Sequence, residues 1–124
     1  MGCDIHAFIE VKEYDLWWEW AKVNINRNYT LFGLMAGVRI PEYKLFDARG
    51  VPSDVSDGAR IEHIELGTDA HHPSWLSLIE IKSVYGEFEH IVGGRNRDAL
   101  AVMQAMDALS MGYDDVRIVF WFDN

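Results

Sequence analysis

At two places in this chain an aspartate stands two residues before a histidine, and both pairs could do chemistry. The first pair is Asp4 and His6, in a segment where apolar and polar residues alternate. Side chains two residues apart on a strand point to the same face, so we expect these two to project together. A carboxylate beside an imidazole can ligate a metal ion, or act as a general base with its orienting partner. The alternative is a structural Asp–His hydrogen bond at a sheet end.

The second pair, Asp69 and His71, is followed by a further histidine, His72, in a polar segment that predicts a loop. Carboxylate and neutral imidazole suit Zn, Mn, Fe or Ni. The alternative is a surface loop whose side chains make turn hydrogen bonds. If the loop lies over the first strand, the sequence predicts a divalent-metal centre, Zn or Mn, with the ligands Asp4, His6, Asp69 and His71.

A third acid, Asp123, follows an apolar run near the other end of the sequence. This run is interrupted by Arg117 and otherwise predicts a strand buried on both faces. If it pairs with the first strand, Asp123 joins the same site. We therefore expect His6 and Asp123 to be the catalytic residues, with Asp123 as general base or further metal ligand.

Arginines suggest where an anion would bind. Arg95 and Arg97 follow Gly93-Gly94 and precede the longest predicted helix, and glycines and a helix start both favour phosphate. An ordinary turn with an ordinary cap is the alternative. Elsewhere, arginines could clamp a phosphorylated ligand on which an aromatic ring stacks, although salt-bridged arginines are commoner. The predicted ligand-binding residues are Arg27, Arg49, Arg95, Arg97 and Trp75.

Composition limits the class of partner. The chain has 124 residues, 49% of them hydrophobic, and a net charge of −9. Such an acidic protein is not expected to bind a nucleic-acid backbone, although a few local arginines suffice for a small phosphorylated ligand. One cysteine, Cys3, fits a reducing cytoplasm. No apolar run has transmembrane length and the start lacks signal-peptide features, so we expect no membrane association.

The elements that must position these residues follow from periodicity. Residues 3–12 alternate as a strand, residues 16–25 form its hairpin partner, and the last strand follows Asp115. Helices are predicted from residue 29 to before Pro41, over 54–66, from the capping box at Ser77 to near Gly86, and over 98–111. Residues 68–74 are predicted to be irregular.

These elements indicate a single α+β domain, residues 1–124, with two layers. We expect a mainly antiparallel sheet whose first and last strands are adjacent, packed by three or four helices.

Several blocks of sequence are distinctive. They are the opening Met-Gly-Cys-Asp-Ile-His, residues 27–39, 49–56 and 69–76, and the closing Val-Arg-Ile-Val-Phe-Trp-Phe-Asp-Asn. Together they resemble a family of small uncharacterised phage and prophage proteins. His72-Pro73 departs from the family pattern, which has a small residue followed by histidine, and this favours Asp69 and His71 as ligands. The resemblance implies a phage-encoded protein in the cytoplasm of an infected bacterium, and it supplies no activity.

Two functional hypotheses follow. The first is a phage-encoded, metal-dependent hydrolase that acts on a small phosphorylated, nucleotide-like substrate. The alternative is a non-catalytic counter-defence protein that sequesters a nucleotide signal or inhibits a host defence protein. A second copy of the chain is a further candidate partner.

Overall fold

The computed structural model describes residues 2–124 and contains four strands and four α-helices; Met1, the first residue of the opening block, lies outside them. The strands are β1 (Asp4–Glu13), β2 (Leu16–Val23), β3 (Ala70–Ser77) and β4 (Asp115–Asp123). The helices are α1 (Tyr29–Ala36), α2 (Asp57–Leu66), α3 (Leu78–Val92) and α4 (Arg97–Leu109), with short 3-10 turns at Pro41–Tyr43 and Gly67–Asp69. None of the helices between residues 2 and 124 is long and apolar enough to cross a membrane.

The sheet is antiparallel in the order β2-β1-β4-β3, so the first and last strands are neighbours at its centre. Seven consecutive β4 residues, from Val116 to Phe122, are buried, as expected for a strand covered on both faces. The register pairs Asp4 with Asp123 and His6 with Trp121. The predicted α+β fold with adjacent terminal strands is confirmed.

Helices cover the two faces of the sheet unequally. Ala7, Ile9 and Val11 of β1 lie on the face that packs against α1, α3 and α4, forming the main core. The opposite face carries Phe8 and Trp121, which pack with Ala59 of α2 in a smaller cluster. Asp4 and His6 belong to this second face, because residues alternate along β1.

Two predicted elements were wrong. Residues 68–74, expected to be irregular, contain the first half of edge strand β3. His72 has a positive φ of 51°, and the pairing with β4 shifts between His71 and Ser74, so the strand has no simple alternation to recognise. The third helix, expected to end near Gly86, continues to Val92. A glycine in a helix costs only about 1 kcal/mol, and burial of Tyr85 and Phe88 on either side of Gly86 offsets that cost.

A buried ion pair links the two central strands on the second face. Glu10 is fully buried, Arg117 is 5% exposed, and Arg117 Nε donates to Glu10 Oε1 at 2.7 Å. The other carboxylate oxygen accepts from the backbone N–H of Ser56 at 2.8 Å. Arg117 Nη1 also donates to Asp54 Oδ1 at 3.0 Å. The pair therefore ties the loop before α2 to the centre of the sheet.

We predict that Arg117→Met destabilises the protein by about 3–5 kcal/mol, because it leaves the buried Glu10 carboxylate without its cation. The double variant Glu10→Leu/Arg117→Met should lose less than the sum of the single losses. Urea denaturation followed by tryptophan fluorescence measures both. Arg60→Met, at an exposed site on α2, is the control and should change stability by under about 0.5 kcal/mol. Strictly additive losses would contradict a coupled pair.

Candidate functional site

Most of the predicted site residues meet at one end of the sheet. In the antiparallel register, Asp4 at the start of β1 and Ala70 at the start of β3 both pair with Asp123 at the end of β4. Helices α1 and α4 also begin near this end, where residues 26–28 and 95–98 line a common cleft. We call Asp4, His6 and Asp123 the sheet-end site.

His6 and Asp123 form a hydrogen-bonded pair. His6 Nε2 lies 2.6 Å from Asp123 Oδ2. A carboxylate only accepts, so Nε2 carries the proton. The two side chains are 23% and 28% exposed, which leaves the pair accessible to a small molecule. The His6 ring stacks over Trp121, and its Nδ1 has no hydrogen-bond partner among residues 2–124. This arrangement can orient an imidazole whose second nitrogen is available to exchange a proton.

Asp4, next to this pair in the sheet, contacts an arginine. Arg27 Nε donates to Asp4 Oδ1 at 3.0 Å, and Asp4 stands opposite Asp123 in the sheet. Gly2 allows the guanidinium to lie there, since a Cβ at that position would be 1.9 Å from Arg27 Nη1. A larger residue at position 2 would displace Arg27 from Asp4.

Arg27 also lines a cleft of about 230 Å³ together with Arg95 and Arg97; we call this the arginine cleft. Asn28 and Asn96, the N-caps of α1 and α4, line it too. One carboxylate, Asp98, is present and accepts from the backbone N–H of Asn26 at 2.8 Å. Arg27 is paired with Asp4 and Arg97 with Asp98, so the three guanidinium groups exceed these two carboxylates by one positive charge. The cleft is therefore weakly cationic in an acidic protein and favours an anion.

The second Asp–His pair does not close into one cluster with the first. Asp69 ends a 3-10 turn, and His71 pairs with Phe122 and stacks on its ring. His71 Nδ1 is 2.8 Å from His72 Nδ1, so one nitrogen is protonated and the other accepts. Burial, and then the neighbouring His71, lower the pKa of His72. His71 Nε2 is buried without a protein partner in the described chain.

The predicted metal ligands are therefore divided among different partners. His6 contacts Asp123, Asp4 contacts Arg27, and His71 contacts His72. Within residues 2–124, no three His, Cys, Asp or Glu side chains are grouped so that they could hold a metal ion. The Zn or Mn centre stays a prediction.

Arg49 and Trp75 lie apart from the sheet end. Trp75 pairs with Val119 midway along β4, and the Arg49 guanidinium is 4.6 Å from the centroid of its ring. Both terminal nitrogens of Arg49 donate to the carboxylate of Glu80, with Nη1 to Oε1 at 2.7 Å. This contact lowers the pKa of Glu80 to about 2. Arg49 is thus a salt-bridged arginine, and a role for it in ligand binding stays a prediction.

Sequence reasoning assigned no role to Glu10, Asp54 or Trp17, which surround Arg117. The sequence pattern could have predicted a buried acidic partner, because Arg117 interrupts an apolar strand and a buried arginine requires a buried acid. Glu10 lies on the polar face of β1, but the sequence pattern does not distinguish it from a solvated residue.

No protein-family model, curated protein or solved structure matches this chain.

We predict that Glu80→Gln removes a pH-dependent part of the stability. The folded pKa of Glu80 is about 2 against an ordinary 4.5, so its stabilisation is complete above 4.5 and is lost as the pH falls towards 2. Gln can still accept from Ser77 in the capping box, so the variant tests the charge rather than the cap. Urea denaturation at several pH values should show the gap between wild type and variant narrowing in acid. A gap that is constant with pH would contradict this linkage.

Proposed function

We propose that the protein hydrolyses a phosphate ester of a small compound at the sheet end. The observation that carries the proposal is the His6–Asp123 pair, at 2.6 Å, on the same end of the sheet as the arginine cleft. An anion site and an oriented imidazole are the two parts that such a reaction needs.

Phosphate binding is assigned to the arginine cleft. Each guanidinium of Arg27, Arg95 and Arg97 can donate two parallel hydrogen bonds to phosphate oxygens, and its charge offsets the charge that accumulates in the transition state. Arg27 is held by Asp4, whereas the Arg97 side chain is 84% exposed and donates to Asp98 at 3.3 Å. Arg27 is therefore positioned before the ligand arrives, and Arg95 and Arg97 close on it.

Proton transfer is assigned to His6, with Asp123 as its positioning residue. His6 Nδ1 accepts a proton from the attacking water, whose oxygen bonds to phosphorus. The bond to the leaving oxygen breaks, and His6 returns the proton to that oxygen. Asp123 holds the ring through Nε2 and stabilises the imidazolium form. A Zn or Mn ion held by the predicted ligands Asp4, His6, Asp69 and His71 would supply Lewis-acid activation of the water, and the proton transfer by His6 does not depend on it.

A second candidate is binding without catalysis, as in sequestration of a phosphorylated signal. It is favoured by one observation: within the described chain, His6 contacts no arginine of the cleft. A phosphate bound to Arg95 and Arg97 could then lie out of reach of the imidazole and remain intact. Both candidates keep, as part of the proposal, the phage-encoded setting that the sequence resemblance implies, and counter-defence belongs to the second candidate.

We predict that the protein cleaves p-nitrophenyl phosphate or bis-p-nitrophenyl phosphate, assayed with and without Zn²⁺ and Mn²⁺. His6→Gln should lower kcat by about 10²-fold or more, because it removes general acid–base catalysis. The double variant Arg95→Gln/Arg97→Gln should raise KM instead, because it weakens phosphate binding.

The matched control is Arg60→Gln, which removes an exposed arginine from α2 and should leave both constants unchanged. Binding is measured separately by calorimetry with the same esters. A bound ester recovered intact, with no product in any metal condition, would favour sequestration. Absence of both binding and cleavage would refute both candidates.

A further inference from the structure

A second cleft lies at the opposite end of the sheet from the sheet-end site. It has a volume of about 420 Å³, and its walls include Lys12, Trp17, Ser53, Asp54, Trp75 and Arg117; we call it the Arg117 cleft. Arg117 precedes Asp123 by six residues on the same strand, which separates them by about 20 Å at 3.3 Å per residue. A small molecule bound at the sheet end cannot reach this cleft.

Arg117 lines this cleft and has hydrogen-bond donors that the described chain does not use. A guanidinium has five N–H groups. Nε donates to Glu10, Nη1 to Asp54 Oδ1 at 3.0 Å, and Nη2 to the Asp54 backbone carbonyl at 3.4 Å. Two N–H groups therefore have no acceptor among residues 2–124. The side chain is 7% exposed and held from three sides, so these donors have a fixed direction.

The remaining walls favour a flat ligand of low charge. Trp17 and Trp75 are partly buried, and the Trp17 ring lies 3.9 Å from the Arg117 guanidinium carbon. Arg117 covers one face of the Trp17 ring and Arg49 covers one face of the Trp75 ring, so a planar ligand would stack on the indole surface that remains. Lys12 and Arg117 are balanced by Asp54 and Asp115, and Glu10 already neutralises Arg117 from beneath. Unlike the arginine cleft, this one has no excess positive charge for a phosphate.

Asp54 supplies the complementary acceptor. Its side chain is 60% exposed. Burial is the largest single effect on the pKa of Asp54 and raises it, but the hydrogen bond and the charge of Arg117, with smaller effects from the backbone and Lys12, together lower this pKa below its ordinary value. A carboxylate and a guanidinium side by side match a ring in which a carbonyl adjoins an N–H. The carbonyl accepts from Arg117, and the N–H donates to Asp54.

We propose that the Arg117 cleft binds an uncharged heteroaromatic ring that carries a carbonyl next to a ring N–H, as in uracil or guanine. The Arg117 donors and the Asp54 carboxylate read that edge, and the indole of Trp17 supports the ring. Adenine and cytosine lack this edge, since their corresponding ring nitrogen only accepts. This site is separate from the proposed phosphate-ester hydrolysis and does not depend on it.

The test is calorimetric titration of the wild-type protein with uridine, guanosine, adenosine and cytidine, repeated by saturation-transfer NMR. Uridine and guanosine should bind at least about tenfold more tightly than adenosine and cytidine. Using nucleosides rather than nucleotides keeps phosphate binding in the arginine cleft out of the measurement. Equal binding of all four nucleosides, or no binding of any, would overturn the proposal.

Ser53→Phe is the blocking variant, because Ser53 is an exposed residue on the cleft wall and phenylalanine would fill the space. Ser83→Phe makes the same change at an exposed position on α3 and is the matched control. Ser53→Phe should weaken uridine binding about tenfold or more, and Ser83→Phe should not change it.

Trp17→Leu is a further cleft variant and should also weaken uridine binding. Thermal melting verifies that each variant is folded. Wild-type affinity in both folded cleft variants would refute the location.

Discussion

The antiparallel register between β1 and β4 is the constraint on which the rest of the structure depends. Shifting one strand by a single residue would turn its buried side chains to the other face. Glu10 and Arg117 are opposite each other in this register and almost completely buried. A shift would leave two buried charges without partners, at a cost of several kcal/mol. The ion pair therefore selects one register as well as stabilising it.

That register also creates the sheet-end site. With Glu10 opposite Arg117, Asp4 must stand opposite Asp123, and His6 opposite Trp121. His6 then reaches Asp123 diagonally across the pair of strands, and Asp4 is left to contact Arg27. Both ends of the second face thus carry charged groups, while Phe8, Trp121 and Ala59 form an apolar cluster between them. Two polar sites can coexist on one small sheet because this cluster separates them.

Three arginine side chains of this acidic protein are paired with carboxylates. Arg27, Arg49 and Arg117 are each hydrogen-bonded to a carboxylate that fixes their direction. The sequence predicted Arg27 and Arg49, but not Arg117, as ligand-binding residues. It could not reveal these three pairings, because the acids lie 23, 31 and 107 positions away in the chain. The arginine cleft, where the N-termini of two helices meet, keeps a small excess of positive charge.

The sequence by itself determined the α+β class, the pairing of the first and last strands, the shared face of Asp4 and His6, and the capping box of α3. Local periodicity and turn chemistry carry those features, so no distant contact is needed to read them. Tertiary structure decided the rest. Residues 70–77 form a strand because they pair with β4. Helix α3 continues beyond Gly86 because the residues on either side of that glycine are buried. The partners of charged residues, such as Glu10 for Arg117, are also set by the tertiary structure. Such features depend on residues far apart in sequence, and their energies arise only when the chain has folded.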